Sequence, residues 1–166
     1  MPKVVCNSSP LIHLSKAGRL SLLRDFFQEI LVPREVLTES VENSGGAKDA
    51  KEIKEADWIH LLSIEDMDLK KALKLTLDDG EAAAIVLALE QKADIVLMDD
   101  YDGRTVAKEY DLMVTGTIGI LLKAKLEGKI PSLRHDLDVL RESGFWLGEE
   151  LYLKILEQAT KPHKVG

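Results

Sequence analysis

Nine consecutive residues, Asp94-Ile-Val-Leu-Met-Asp-Asp-Tyr-Asp102, constrain this chain more than any other stretch. Ile95 to Met98 is a short, unbroken apolar run rich in β-branched residues, set between two helix-like stretches. Such a run reads as a strand buried on both faces, the kind found in parallel sheets. It stops abruptly at Asp99, Asp100 and Asp102, followed by Gly103. Carboxylates at the end of a buried strand must be hydrated, hydrogen-bonded or metal-bound, because an unpaired buried charge is costly. In open α/β sheets the crevice beyond the carboxyl ends of the strands is where ligands bind.

The rest of the chain supplies a sheet for that strand. Val4-Val5-Cys6, Ile30-Leu31-Val32 and Leu112-Met113-Val114 are further strand candidates, so strands are expected at about 3–6, 29–32, 95–98 and 112–114. Trp58 to Leu62 is a short extended piece. Ser9 before Pro10 suits a helix start, with Ser as the cap and Pro at the first helical position. Further helices are expected after Leu20 and Pro33, over Ala47–Ala56, Asp66–Leu75, Asp78–Leu89, Arg104–Tyr110 and Ile118–Leu126. Two more should cover Leu133–Arg141 and Glu149–Ala159, separated by Gly144-Phe145-Trp146. Asn43-Ser44-Gly45-Gly46 is a loop. Strands alternating with helices predict a three-layer α/β/α domain around a mainly parallel sheet, spanning residues 1–160, with 161–166 as a tail.

At 166 residues and 45% hydrophobic content the chain can bury one substantial core. Its longest apolar run, Ala82 to Leu89, is far too short to span a membrane. No secretory pattern opens the sequence and Cys6 stands alone, so a cytoplasmic protein without disulfides is expected. The net charge of −7 argues against a surface that is basic throughout. Residues 101–135 nevertheless hold six basic side chains against four acidic ones, which allows a local basic edge beside an acidic site, although solvated helix faces account for most such residues.

Polar residues follow three strands: Asn7 after the first, Asp99, Asp100 and Asp102 after the central one, Thr115 and Thr117 after the last. Parallel strands put these ends on one edge, where Glu39 and Glu81 from two helices can join them. Hard oxygen ligands in one crevice suit Mg²⁺ or Mn²⁺. Such ions promote deprotonation of water and stabilise the charge of an in-line phosphoryl displacement. Each acid also has a plainer use. Asp78 and Glu81 fit a capping box; Glu39 fits an exposed helix position; Asp99 and Asp102 fit turn N–H acceptors. The Asp100–Glu109 spacing only partly imitates a calcium loop, and its lead-in is a strand. The four histidines are scattered, and no GxGxxG, P-loop or GxSxG motif occurs.

Four segments in order resemble PIN domains, the metal-dependent nucleases that include many toxin ribonucleases. Asn7-Ser-Ser-Pro-Leu-Ile12 is similar to their opening Asp-Thr-Ser-x-Leu-Ile. Val32-Pro-Arg-Glu-Val-Leu-Thr-Glu39 is similar to their Pro-x-x-Val-x-x-Glu segment, and Gly80-Glu-Ala-Ala-Ala-Ile85 to the helix carrying the third acid. Val96 to Asp102 resembles the strand end Leu-x-Thr-x-Asp-x-Asp. Thr115 to Leu122 and Gly144-Phe145-Trp146 resemble a prokaryotic PIN-like subgroup of poorly characterised function. The resemblance implies a metal-dependent ribonuclease, in some relatives the toxin of a toxin–antitoxin pair, commonly homodimeric. It implies metal ligands at Asn7, Glu39, Glu81, Asp100 and Asp102, with Glu39, Glu81 and Asp100 catalytic. Ser8, Arg104 and Thr117 are the expected substrate contacts, and RNA and an antitoxin protein the expected partners.

One position departs from the family pattern. Asn7 stands where the family has aspartate; its amide oxygen can ligate a metal but brings no charge and cannot act as a base. Asn7 therefore separates an active ribonuclease from a catalytically impaired module that binds RNA or protein. A small-molecule-binding α/β protein with a purely structural acidic cluster is the third alternative.

Overall fold

The computed structural model describes residues 1–44 and 46–160. Gly45 of the expected loop and the expected tail at 161–166 lie outside the described residues. By backbone contacts the chain divides into two compact units, Met1–Thr117 and one beginning at Ile118.

The first unit is an α/β layered structure. Its elements run β1 (Val4–Cys6), α1 (Ser8–Lys16), α2 (Ser21–Phe27), β2 (Ile30–Pro33), α3 (Arg34–Glu42), α4 (Ala47–Glu55), β3 (Ile59–Leu62), α5 (Met67–Leu73), α6 (Asp79–Gln91), β4 (Ile95–Leu97), α7 (Tyr101–Glu109) and β5 (Val114–Thr115). The described strands form one all-parallel sheet of order β3-β2-β1-β4-β5. β1, the middle strand, and its neighbour β4 are buried almost throughout, with Val4, Val5, Cys6, Val96 and Leu97 at most 1% exposed. Backbone bonds extend the β4 pairing past its last strand residue, since Met98 N–H donates to Thr115 O and Asn7 N–H to Leu97 O, both at 2.8 Å.

Strand order reverses between β1 and β4. From β1 the chain steps outward to β2 and β3; from β4 it steps the other way to β5. Right-handed crossovers then place the connecting helices on opposite faces, and a crevice opens where the two directions diverge. Asn7 and Asp99–Asp100 leave their strands at that point. α6 is the most deeply set helix: every residue from Gly80 to Ala88 is buried, matching its nearly all-apolar body.

Two local expectations need correction, and a third is sharpened. Ser9 is not the cap of α1; Asn7 occupies the N-cap position, Ser8 starts the helix and Pro10 is its third residue, where an N–H has no intrahelical acceptor and its absence in proline costs no bond. The extended piece at 58–62 is a full member of the sheet, paired to β2 over Ile30–Pro33. The helix after the central strand begins at Tyr101 rather than Arg104, because Asp100 itself caps it.

The second unit contains the body of α8 (Thr117–Leu126), then α9 (Leu133–Glu142) and α10 (Glu149–Thr160). Ser132 caps α9 by accepting from His135 N–H. Tyr152 of α10 joins the last two: its hydroxyl donates to Asp138 Oδ1 at 2.8 Å, and the Arg141 guanidinium lies 4.1 Å from its ring centre. Arg141 also donates to the Leu147 carbonyl, pinning the 144–148 turn, on which Trp146 stands 87% exposed. Among the described residues no helix is long and apolar enough to cross a membrane.

Candidate functional site

Four of the expected ligands, Asn7, Glu39, Glu81 and Asp100, gather at the β1/β4 crevice, and each is placed by a helix start or a helix face. Asn7 ends β1 and caps α1, yet its side chain makes no capping hydrogen bond. Asparagine at this position ordinarily accepts from an N–H of the first turn. Here Oδ1 is buried and, among the described residues, has no hydrogen-bond partner. Leaving such an oxygen unmatched costs about 1–3 kcal/mol.

Gly80 explains where that oxygen goes. A methyl group on Gly80 would stand 2.6 Å from Glu39 Oε2 and 3.6 Å from Asn7 Oδ1. The two oxygens therefore occupy one small space over the first turn of α6, held open by the missing side chain. Glu39 reaches it from α3, with Val36 one turn earlier packed on the same glycine. Burial, then the charge of Asp78, raises the Glu39 carboxyl above its ordinary range; a hydrogen bond from Ser8 opposes the rise, and Asp79 and Glu42 add to it. Ser8, expected as a substrate contact, is thus a buried partner of Glu39.

Glu81 sits one residue further into α6. Its backbone N–H donates to Asp78 Oδ1 at 2.7 Å, so half of the expected capping box exists. Of its side-chain oxygens, Oε2 is buried and receives no hydrogen bond among the described residues. A second glycine gives it room, since a methyl on Gly103 would lie 2.8 Å from Glu81 Oε2 and would strike Met98 Sδ. Asp100 meets it there, its Oδ2 accepting from Gly103 N–H at 3.2 Å as the cap of α7. Burial, hydrogen bonding to Asp78 and Asp100 and the charges of those two together push the Glu81 carboxyl up to about 9. Like charges this close raise a carboxyl's pKa.

The other expected residues stand apart from this pair of contacts. Asp102 is exposed in the first turn of α7. Arg104 Nη1 donates to the Met98 carbonyl at 3.2 Å. Thr117 is fully buried and gives both its N–H and its hydroxyl to Asp99. Two features carry little sequence signal: the glycine spaces and buried Lys70. Lys70 of α5 pairs with Asp79 at 2.8 Å and Glu35 at 3.8 Å, so Glu35 serves a different partner from Glu39 one turn on. The glycines have a hint in the sequence, each lying next to a polar residue at a strand end or helix start.

Among the described residues no three His, Cys, Asp or Glu side chains already converge as a closed ligand set. The candidate donors are instead one amide oxygen beside Glu39, and Glu81 beside Asp100, all hard oxygens. Two of these oxygens, Asn7 Oδ1 and Glu81 Oε2, are buried without partners among the described residues, and burial with neighbouring acids raises the Glu39 and Glu81 carboxyls. A divalent oxygen-seeking cation answers both conditions, so the residues fit Mg²⁺ or Mn²⁺.

Beyond the geometry, a family model described as a PIN domain matches residues 3–161. No curated protein matches the chain.

Proposed function

The chain belongs to the PIN-domain family and has its nuclease-type fold; from that premise we propose that it is an Mg²⁺- or Mn²⁺-dependent ribonuclease that hydrolyses RNA phosphodiesters. The observation that carries the proposal is the pair of buried, unpartnered oxygens, Asn7 Oδ1 and Glu81 Oε2, at the β1/β4 crevice. Asn7, Glu39, Glu81 and Asp100 would hold the cation, with Asp102 at the exposed margin. A bound cation supplies acidification of water and charge stabilisation in phosphoryl displacement.

The chain's own residues do the positioning. Gly80 and Gly103 keep space for the ligands, Asp78 and Asp100 fix the starts of α6 and α7, and Ser8 orients Glu39. Glu81, its carboxyl raised to about 9, would have to give up its proton to ligate a cation, so metal binding would be coupled to proton release. The same activity, restrained by an antitoxin protein, would make this a toxin; a small protein with a DNA-binding half encoded alongside would support that extension. RNA is the proposed macromolecular partner and a homodimer the proposed assembly.

Asn7 gives the second reading its footing, because a neutral ligand weakens both metal affinity and turnover. Cleavage of single-stranded RNA by the natural chain, Asn7→Asp and Asp100→Asn, with Mn²⁺, Mg²⁺ or EDTA, separates the two. Metal-dependent cleavage by the natural chain, increased in Asn7→Asp and absent in Asp100→Asn, is the expected result. No cleavage by the natural chain, with activity appearing in Asn7→Asp, would replace the enzyme by a module that binds RNA or protein.

A further inference from the structure

Asp99 precedes a proposed ligand, yet both of its oxygens are already committed. Oδ1 accepts from Thr117 N–H at 2.7 Å; Oδ2 accepts from the hydroxyls of Ser9 at 2.6 Å and Thr117 at 2.7 Å. These are short, charge-assisted bonds, roughly twice as strong as neutral ones. Their donors come from far along the chain, Ser9 in the first turn of α1 and Thr117 just past β5. Gly116 permits the arrangement, since a methyl there would stand 2.6 Å from Asp99 Oδ1 and 3.3 Å from the Met98 carbonyl.

Ser9 matters because of its neighbours. Asn7 has no side-chain cap bond of its own, so nothing within its own turn fixes how α1 begins. Ser8 is bound to Glu39 and Ser9 to Asp99, and these two hydroxyls tie the helix start to both sides of the crevice. Resting on the metal-site reading above, we infer that Asp99 is a positioning residue and not a ligand: it clamps α1, the end of β4 and the segment after β5, and so sets Asn7 against Asp100.

The two roles make opposite predictions for Asp99→Asn. Asparagine keeps an oxygen for Thr117 N–H and turns an amide towards two hydroxyls that can rotate to accept, so the clamp survives without its charge. A carboxylate ligand would lose its charge in the exchange, and with it much of its hold on the cation. Mn²⁺ binding to the full chain, measured by calorimetry, should change by no more than about 3-fold in Asp99→Asn but fall about 10- to 100-fold in Asp99→Ala, the usual range for groups that orient a ligand. Ser9→Ala, which removes one of three bonds and keeps a foldable core, should lose about 3- to 10-fold.

Amide hydrogen exchange without metal gives the independent readout. Thr117 and the first turn of α1 should exchange faster in Asp99→Ala, and stay protected in Asp99→Asn. Asp99→Asn falling as far as Asp100→Asn would make Asp99 a ligand and overturn the inference. Unchanged exchange in both Asp99→Ala and Ser9→Ala would overturn the clamp itself. Absence of Mn²⁺ binding in the natural chain would sink the metal-site reading, while the exchange data would still judge the clamp.

Discussion

Replacing Glu81 by glutamine should make the metal-free protein more stable, by an amount that depends on pH. The carboxyl titrates near 9 in the folded chain and near 4.5 as a free side chain. At pH 7 it must therefore take up a proton to fold beside Asp78 and Asp100, which costs about 3 kcal/mol at full strength. Relaxation of the crowded pair reduces this, so about 1–3 kcal/mol is the working range. The raised pKa fixes the sign. Wild-type stability is fully expressed below about pH 4.5 and is lost as pH climbs through about 9, whereas glutamine is neutral throughout. Melting temperatures of the two proteins should coincide near pH 4 and separate by about 3–10 °C at pH 8, with glutamine higher. Thermal unfolding followed by circular dichroism in EDTA measures this directly. Adding Mn²⁺ should reverse the order, because binding to the native state stabilises only a protein that retains the ligand. A gap independent of pH, or a glutamine variant less stable at pH 8, would refute the account of Glu81 as an acid crowded for want of a cation.

Other perturbations test neighbouring parts of the site. Asp100→Asn should abolish Mn²⁺ binding and RNA cleavage while leaving the melting temperature within about 2 °C or raising it, since asparagine still caps α7 and like-charge repulsion is relieved. Gly80→Ala should weaken Mn²⁺ binding at least about 10-fold, because its methyl would sit 2.6 Å from Glu39 Oε2; calorimetry checks it. Lys70→Met should cost about 1–2 kcal/mol in urea unfolding near pH 7, with Lys74, 3.3 Å from Asp79, limiting the loss. Since Lys70 holds the Asp79 carboxyl below its ordinary range, that cost should shrink as the pH falls through the carboxylate range.

How much of this was legible in the sequence follows from where each side chain lies. β1 and β4 announce themselves because both faces are buried, which leaves an unbroken apolar run. β3 lies at the sheet edge with His60 and Leu61 exposed, so its pattern is diluted and it reads only as an extended piece. Ser9-Pro10 reads as a good local cap, yet α1 starts at Ser8 and the Ser9 hydroxyl goes to Asp99 instead. Residue types and order, with the PIN resemblance, were enough to propose Asn7, Glu39, Glu81 and Asp100. They could not tell that Asp99 bonds to Ser9 and Thr117, contacts 90 and 18 residues away. Nor could they say which oxygens are left over, since that depends on the space at three glycines.

Those glycines make the site vulnerable to added mass as well as to lost chemistry. Gly80, Gly103 and Gly116 are all buried, and a single methyl on any of them would meet a polar atom of the crevice at 2.8 Å or less. Alanine at Gly80 or Gly103 would keep every proposed ligand and leave the exterior of the protein unchanged. Such a surface-silent lesion can disable the chemistry while any partner that reads the outside still docks, a separation that substitution of the exposed Asp100 cannot provide.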